Sequence, residues 1–394
     1  MKLVHLADLH LGFRQYQRLT ANGMNQREAD IASAFRRAID AVIEIQPDVI
    51  LIAGDVFHSV RPTNPAILHA YTQFSRLTEM LPDASIVMVS GNHDTPRTTE
   101  TGCLLRLFST LGITVVEGEA KNVTFRDGEL SVLAIPYGTS PRPAFEPNRN
   151  ARYNILLMHD QVEGVVKRFG APWVNPSADV AREDLGVEKW DYVALGHYHV
   201  YTRVAPNAFY AGSLDYASSN IWGEVDEELE MKVRGKGFIE HNLETGEHRF
   251  HTVSLARRVV DIPAINASGR TAEELSAAVR AAVESCEGGI DDRIVRIVLR
   301  DVPRHVLRDL DHRKIREYKR RALHFLLDAR RPETVRIEAS GAPGRRTSLA
   351  DTVRSMLEKR QLTPGIDRPA LVDLGMHYLD EADRLAPALT GDEA

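Results

Sequence analysis

Short apolar runs rich in β-branched residues punctuate the first 200 positions. Between them lie longer stretches whose apolar residues recur every three or four places. The runs occupy residues 3–7 (LVHLA), 49–53 (VILIA), 85–89 (SIVMV), 154–158 (NILLM) and 191–195 (DYVAL). Continuous apolar runs of this length are the pattern of buried parallel strands. Between the first two, Ala29, Ile31, Ala32, Phe35, Ile39, Val42 and Ile43 predict a helix over about residues 25–46. Further helices are predicted over about 64–80 and near 100–111, with short strands at 113–116, 122–126 and 130–135. Residues 203–254 are expected to form antiparallel strands, with turns at Ala211-Gly212-Ser213 and Glu244-Thr245-Gly246. The order predicts an α/β domain over 1–256: two packed sheets with helices outside, a four-layer α/β/β/α sandwich.

The pattern changes near Arg257. Residues 257–340 predict a compact βαβαβ cap: RVVDIPAI as a strand, an Ala-rich helix opened by Thr271-x-x-Glu274, RIVRIVL as a strand, HRKIREYKRRALHFLLD as a helix, and TVRIEA as a last strand. Residues 341–346, with Pro343-Gly344, form a linker. Two amphipathic helices follow within 347–390, over about 348–360 and 369–386. Their apolar positions include Leu349, Val353, Met356 and Leu357, then Leu371, Leu374, Tyr378 and Leu379. So small a pair has too little core to stand alone and must pack on something.

Chemistry gathers where the five strands end. The blocks are Asp8-Leu9-His10, Gly54-Asp55, Gly91-Asn92-His93-Asp94, Met158-His159 and Gly196-His197-Tyr198-His199. Ligands of open α/β sheets bind at strand ends, so five such ends predict one shared site. Phosphodiester hydrolysis needs a nucleophile at neutral pH and compensation of transition-state charge, and two divalent cations supply both. Asp55 is the candidate bridging carboxylate. Asp8, His10 and His199 would complete one shell, and Asn92, His159 and His197 the other. Nitrogen and oxygen ligands without thiolate suit Mn²⁺ or Fe²⁺ better than a structural zinc. His93 is expected to face the substrate as general acid or electrostatic stabiliser, with Asp94 holding its tautomer. His58 would reach the phosphate from the opposite side. The remaining nine histidines are expected to be structural or solvated.

Composition narrows the class further. The chain has 394 residues and a formal charge of -6, so it is not a basic coat protein for nucleic acid. Cys103 and Cys286 form no CxxC pair, and a reducing, cytoplasmic setting is the expectation. No secretory leader is evident before the first strand, and no apolar run reaches the ~18–20 residues that span a bilayer.

The five blocks together resemble the calcineurin-like metallophosphoesterase superfamily, and within it the nuclease subunit of SbcCD-type DNA double-strand-break repair complexes. The narrower resemblance rests on HLADLHLG, AGDVFHS with His58, ALGHYH followed by YAGSLDY, and KGF at 236–238. It implies a manganese-dependent 3′-to-5′ exonuclease on double-stranded ends that is also an endonuclease on single strands or hairpins. It also implies a homodimer and an SbcC-type coiled-coil ATPase partner gripped by the helix pair. By position it makes Asp8, His10, Asp55, Asn92, His159, His197 and His199 the ligands. His93 becomes the catalytic histidine, and His58 a residue of exonuclease geometry. Asp160 departs from the pattern, since relatives commonly carry Gln or a small residue there.

Charge is uneven. Residues 301–346 hold 13 Lys/Arg against 7 Asp/Glu, while the rest of the chain holds 36 against 48. Lys319, Arg320 and Arg321 on the cap, and Arg14, Arg18 and Arg27 nearer the site, are the candidate DNA-backbone contacts. The alternatives are a small-molecule phosphodiesterase, which needs neither His58 nor a basic cap, and a non-catalytic repair scaffold. A scaffold would be expected to lack ligands, and none is missing.

Overall fold

The computed structural model describes residues 1–96, 102–165, 180–233, 235–332, 349–359 and 367–385. The elements of the first sheet and its helices are β1 (Lys2–Leu6), α1 (Gln26–Ile45), β2 (Val49–Ala53), α2 (Asn64–Met80), β3 (Ser85–Val89) and β4 (Thr114–Val116). Then come β5 (Lys121–Phe125), β6 (Leu130–Ile135), β7 (Tyr153–His159), β8 (Tyr192–Gly196), β9 (Thr202–Ala205) and β10 (Ala208–Tyr210). After α3 (Ile221–Met231), β11 (Gly237–Asn242) and β12 (His248–Thr252) return to the first sheet. The sheets run β12-β11-β1-β2-β3-β4 and β5-β6-β7-β8-β10-β9. β1, β2 and β3 are mutually parallel, as are β6, β7 and β8.

Alternation along fully buried strands builds two cores at once. Val49, Leu51 and Ala53 of β2 face the second sheet, among Leu3, Val87, Val132, Leu157 and Ala194. Ile50 and Ile52 face α1 and α2, among Phe35, Ile39, Val42, Phe74 and Leu77. Asn25 caps α1 and Thr63 caps α2, which fixes both helix starts. The other sheet's outer face is covered by Val162, Val180, Leu185 and Trp190 from the segment before β8. The region near 100–111 is a 3-10 helix, Leu104–Leu111.

Two expectations are corrected. Residues 203–254 are not all strand, because α3 interrupts them. In the cap, β13 (Val259–Asn266), α4 (Ala272–Glu284) and β14 (Ile294–Arg300) occur as expected, with the Thr271/Glu274 capping box formed. A short α5 (Arg304–Arg308) intervenes, and α6 (His312–Arg321) stops well before residue 328. Ala322 turns extended at φ -70°, ψ 158°, and residues 324–329 become β15 (His324–Ala329), paired in parallel with β14. The expected strand TVRIEA lies outside the described residues. The cap sheet, β13-β14-β15, has its own core of Ile262, Leu275, Val279, Ile297 and Phe325.

The chain divides into compact units Met1–Pro332 and Glu333–Ala394. Within the first, the cap is tied to the sandwich. Arg257 bridges Asp30 and the Asp292 carbonyl, Arg18 pairs with Asp292, and Tyr16 stacks on His324 at 4.1 Å. In the second unit, α7 (Leu349–Lys359) and α8 (Arg368–Leu385) pack on each other. A Cβ on Gly375 would meet Leu357 at 2.5 Å. Met356, Leu374 and Tyr378 are left exposed. No helix among the described residues is long and apolar enough to cross a membrane.

His5, His241 and His248 lie toward the interior rather than in solvent. His5 Nδ1 is 3.2 Å from the Tyr192 hydroxyl, and His248 stacks on Phe209 at 4.0 Å. His5 Nε2, His241 Nδ1 and His248 Nδ1 are buried without partners. Burial lowers His5 to about 3 and the other two to about 4. In the unfolded chain a histidine titrates near 6.5. The folded pKa is therefore the lower one, and this contribution to stability is complete above 6.5 and lost as pH falls toward the folded value. We expect His5→Phe to flatten the dependence of unfolding free energy on pH by about 1.4 kcal/mol per unit between pH 6 and 4.5. Denaturant titrations of both proteins in chelator test this, and parallel slopes would contradict it.

Candidate metal centre

The five blocks emerge from the C-terminal ends of β1, β2, β3, β7 and β8 and meet. Backbone bonds lay the first two loops side by side: Asp8 N to Gly54 O (3.1 Å), His10 N to Asp55 O (2.9 Å), Leu11 N to Val56 O (2.9 Å). Glycines let the loops touch. A Cβ on Gly54 would strike the His159 ring, and lie 2.9 Å from Gly91 Cα. One on Gly91 would strike Asp55, and one on Gly196 the Ala53 carbonyl. Asp8, His10, Asp55 and His197 all hold positive φ, at 51°, 45°, 49° and 103°. Left-handed backbone costs a non-glycine residue about 1–3 kcal/mol, and it clusters where function demands geometry.

The side chains form two sets flanking Asp55. On one side His10 Nε2 lies 2.9 Å from His199 Nε2, and Asp8, His10 and His199 gather one ligand atom each. On the other, Asn92 Oδ1 lies 3.0 Å from His159 Nε2 and 2.9 Å from His197 Nδ1. Asp55 Oδ2 is 3.8 Å from His10 Nε2 and 3.5 Å from His159 Nε2, and Asp8, Asp55 and His159 form a further ligand trio. Asp8, His10, Asp55 and His159 are buried, while Asn92, His93, His197 and His199 are partly open and give the site its mouth.

Outer bonds aim the inner atoms. His159 Nδ1 bonds the Ala53 carbonyl at 2.7 Å and leaves Nε2 inward as acceptor. His199 Nδ1 faces Glu224 Oε1 at 3.3 Å with the same result. Burial raises Asp8 to about 6 and lowers His197 to about 3. Burial also lowers His10 well below its usual value. At His159 and His199 burial is the largest influence and disfavours the cation, but the opposing groups together outweigh it, led by Asp55 and Asp8 at His159 and by Glu224 at His199, and both are raised. Buried carboxylates beside inward-facing imidazole nitrogens, with no thiolate among them, are a donor set that fits two hard or borderline divalent cations.

His93 sits at the mouth. Its Nδ1 bonds the His58 carbonyl at 2.7 Å, and its backbone N–H donates to Asp55 Oδ1 at 2.8 Å. Its ring stacks on His58 at 5.0 Å and meets His10 edge-on at 4.9 Å. Asp94 does not hold the His93 tautomer, contrary to expectation. Its carboxylate accepts from the backbone N–H groups of Val56 (3.1 Å), Phe57 (2.9 Å) and Gly91 (3.1 Å). It therefore stitches two ligand loops together, and burial raises it to about 7.

Other expected contacts sort by burial. Arg27 is 1% exposed, donating to Asp30, Asp215 and the Tyr216 carbonyl, so it cannot reach DNA. Arg14 pairs with Glu28, Arg18 with the cap, and Arg321 with Asp291. Lys319 and Arg320 are exposed. Asp160 is buried and turned to Arg142 and its own loop, with Gln161 N donating to Oδ1 at 2.9 Å. Asp160→Asn should therefore keep activity within about 3-fold of wild type, as measured by phosphodiesterase rates across a manganese titration. A loss of metal affinity like that of a ligand variant would place it against the cations.

Sequence reasoning missed Glu224, Lys236 and Tyr137, whose ring lies parallel to His197 at 6.5 Å. Only Lys236 had a signal, the KGF motif.

A family model described as calcineurin-like phosphoesterase matches residues 1–201. The chain belongs to this family. All seven candidate ligand positions of this calcineurin-like phosphoesterase fall within the matched segment. Among curated proteins it is similar to the DNA double-strand break repair protein Mre11 of Methanococcus maripaludis, 31% identical over 254 residues, 60% of this chain and 62% of the relative. The protein of the same name from Methanocaldococcus jannaschii is 31% identical over 248 residues, 60% and 61% of the two chains. That of Saccharolobus solfataricus is 27% identical over 214 residues, 52% and 51%. The phosphoesterase thus spans about three-fifths or less of the length of these relatives.

Proposed function

We propose that the protein is a two-metal DNA nuclease of double-strand-break repair. It is an exonuclease acting 3′ to 5′ on duplex ends and an endonuclease on single strands and hairpins. It works with manganese, as a homodimer, alongside an SbcC-type coiled-coil ATPase. The observation that carries this reading is Asp55 placed between two complete ligand sets, with His93 and His58 at their open mouth. The similarity to DNA repair proteins supports DNA as the substrate class.

A pair of divalent cations, when bound, supplies positive charge against the developing phosphorane and a nucleophile at neutral pH. The chain's residues do the rest. His93 is held at Nδ1 by the His58 carbonyl, which leaves Nε2 toward the substrate, and the doubly protonated ring gives its Nε2 proton to the departing alkoxide and returns to the neutral imidazole. His58 packs between Phe13 and the His10 and His93 rings and lines the approach. Burial lowers His58 to about 4, so it serves as a neutral donor or acceptor near pH 7.

Lys319 and Arg320 would contact the DNA backbone, with Arg14, exposed beside Glu28, as a further contact. Charge reversal of Lys319, Arg320 and Arg321 should weaken duplex binding and reduce the slope of log affinity against log salt by about 2–3. An unchanged slope, measured by fluorescence anisotropy, would remove this helix from the interface. The exposed Met356, Leu374 and Tyr378, beside Val353, Leu357, Leu371 and Leu379, suit a coiled-coil partner.

The direct test is digestion of an end-labelled duplex with manganese. Degradation of linear but not closed circular DNA, lost in Asp55→Ala and His93→Ala, supports the reading. Equal hydrolysis of small phosphodiesters with no attack on DNA would favour a small-molecule enzyme.

A further inference from the structure

Behind His199 lies a buried charged network that the hydrolytic reaction does not itself use. Lys236, 2% exposed, precedes β11, and its ammonium makes three contacts. It bonds the carboxylate of Glu224 on α3 and the carbonyl of His199 at 2.9 Å, and forms an ion pair with Glu228 Oε1 at 3.0 Å. Glu224 in turn faces His199 Nδ1 at 3.3 Å. Tyr216 closes the far side, donating to Glu228 Oε2 at 2.7 Å with its ring 4.6 Å from the ammonium. Lys236 therefore reaches one residue twice, directly at its backbone and through Glu224 at its ring.

This arrangement is costly unless it serves something. Two carboxylates and one ammonium leave a net negative charge out of water, where each ion carries a large desolvation penalty. An apolar cluster would hold α3 against β11 without that penalty. What the charges add is specific to His199. An acceptor at Nδ1 keeps the proton there, turns Nε2 toward His10, and makes the imidazole a stronger donor. The fixed carbonyl sets where the ring pivots.

We infer that Glu224 and Lys236 form a positioning pair for His199, which raises the affinity of the cation site that His10, Asp8 and His199 line. The inference rests on the metal reading above, and it extends that reading to two residues more than 20 positions beyond the last ligand. α3 thereby becomes part of the metal centre, although it contributes no ligand. Glu224 fixes the ring, and Lys236 fixes both Glu224 and the His199 main chain.

The test is calorimetric titration of the full chain with manganese alone, for wild type, Glu224→Gln, Glu224→Ala and Lys236→Met. Thermal midpoints in chelator monitor folding. Wild type should bind two ions. Glu224→Ala should weaken one of them about 10- to 100-fold and leave the other near wild type, as expected for loss of a carboxylate behind a ligating histidine. Glu224→Gln keeps an acceptor at the same place and should lose about 10-fold or less. Lys236→Met should match Glu224→Ala. If it fails to fold, the two Glu224 variants decide. Folded variants that bind both ions like wild type overturn the inference and leave the metal reading intact, even if their midpoints in chelator are lower. A wild type that binds no manganese overturns both.

Discussion

Replacing Asp55 with alanine should abolish hydrolysis and the response to manganese without unfolding the protein. Asp55 Oδ2 stands between His10 and His159, one from each candidate ligand set, so its loss would take away the one carboxylate the two sets share. Cations at such a centre contribute several kcal/mol to the transition state, and a loss of at least about 10³-fold follows. Stability should move the other way. Burial first, and Asp55 among the neighbouring charges, raises Asp8 to about 6 and Asp94 to about 7. Without metal, three carboxylates crowd a buried space, and deleting one relieves the others. We therefore expect the variant's thermal midpoint in chelator to be no lower than that of wild type. Added manganese should raise the wild-type midpoint and leave that of the variant unmoved. A variant that keeps the manganese shift would show that Asp55 does not join the two sets.

The frame of the fold was legible because its signals are local. α1 and α2 begin at side-chain caps and carry apolar residues at helical spacing, so their limits follow to within a residue or so. β1, β2, β3, β7 and β8 are continuous apolar runs, and their burial on both faces is what such runs require. α3 was missed because its reasons are distant. Its sequence, IWGEVDEELEM, has a glycine in the first turn and five acidic residues, and their partners Lys236, His199, Tyr198 and Tyr216 lie on other elements. The end of α6 was missed for a related reason. Nothing in RALHFLLD breaks a helix, and only pairing with β14 turns residues 324–329 into a strand.

The site divides in the same way. That the candidate ligands come together follows from residue type and place after a strand, and both are visible in one short block. Roles that depend on a partner far along the chain are not. Asp94 adjoins His93 in sequence, yet its carboxylate serves Val56 and Phe57, 38 and 37 residues away. Arg27 resembles a free cation on a polar helix start, yet Asp215, 188 residues on, takes its guanidinium inside. In both cases burial decided: a charge or carboxylate out of water must find its bonds there, and besides a near neighbour, Asp94 takes donors and Arg27 takes acceptors from other loops.

His93→Ala should separate chemistry from metal binding. The ring belongs to neither of the two sets around Asp55, and its Nδ1 proton is committed to the His58 carbonyl, so the proton for the leaving group is the one the imidazolium form carries at Nε2. A general acid contributes about 10²- to 10⁴-fold, and duplex hydrolysis should fall by that factor. The loss should depend on the leaving group. A deoxyribose alkoxide needs the proton, whereas a nitrophenolate departs without it, so a chromogenic phosphodiester should lose about 10-fold or less. Manganese affinity by calorimetry should stay within a few-fold of wild type. The rival account is that His93 is itself a ligand, for His10, His58 and His93 also bring one nitrogen each within 4.8 Å of one another. That account predicts the opposite on both counts: equal losses on both substrates, and a fall in manganese affinity. The backbone offers a further distinction. His93 N–H donates to Asp55 Oδ1 whatever the side chain, so the substitution leaves the Asp55 carboxylate in place. A large loss confined to poor leaving groups therefore assigns the proton to His93 and the cations to the residues beneath it.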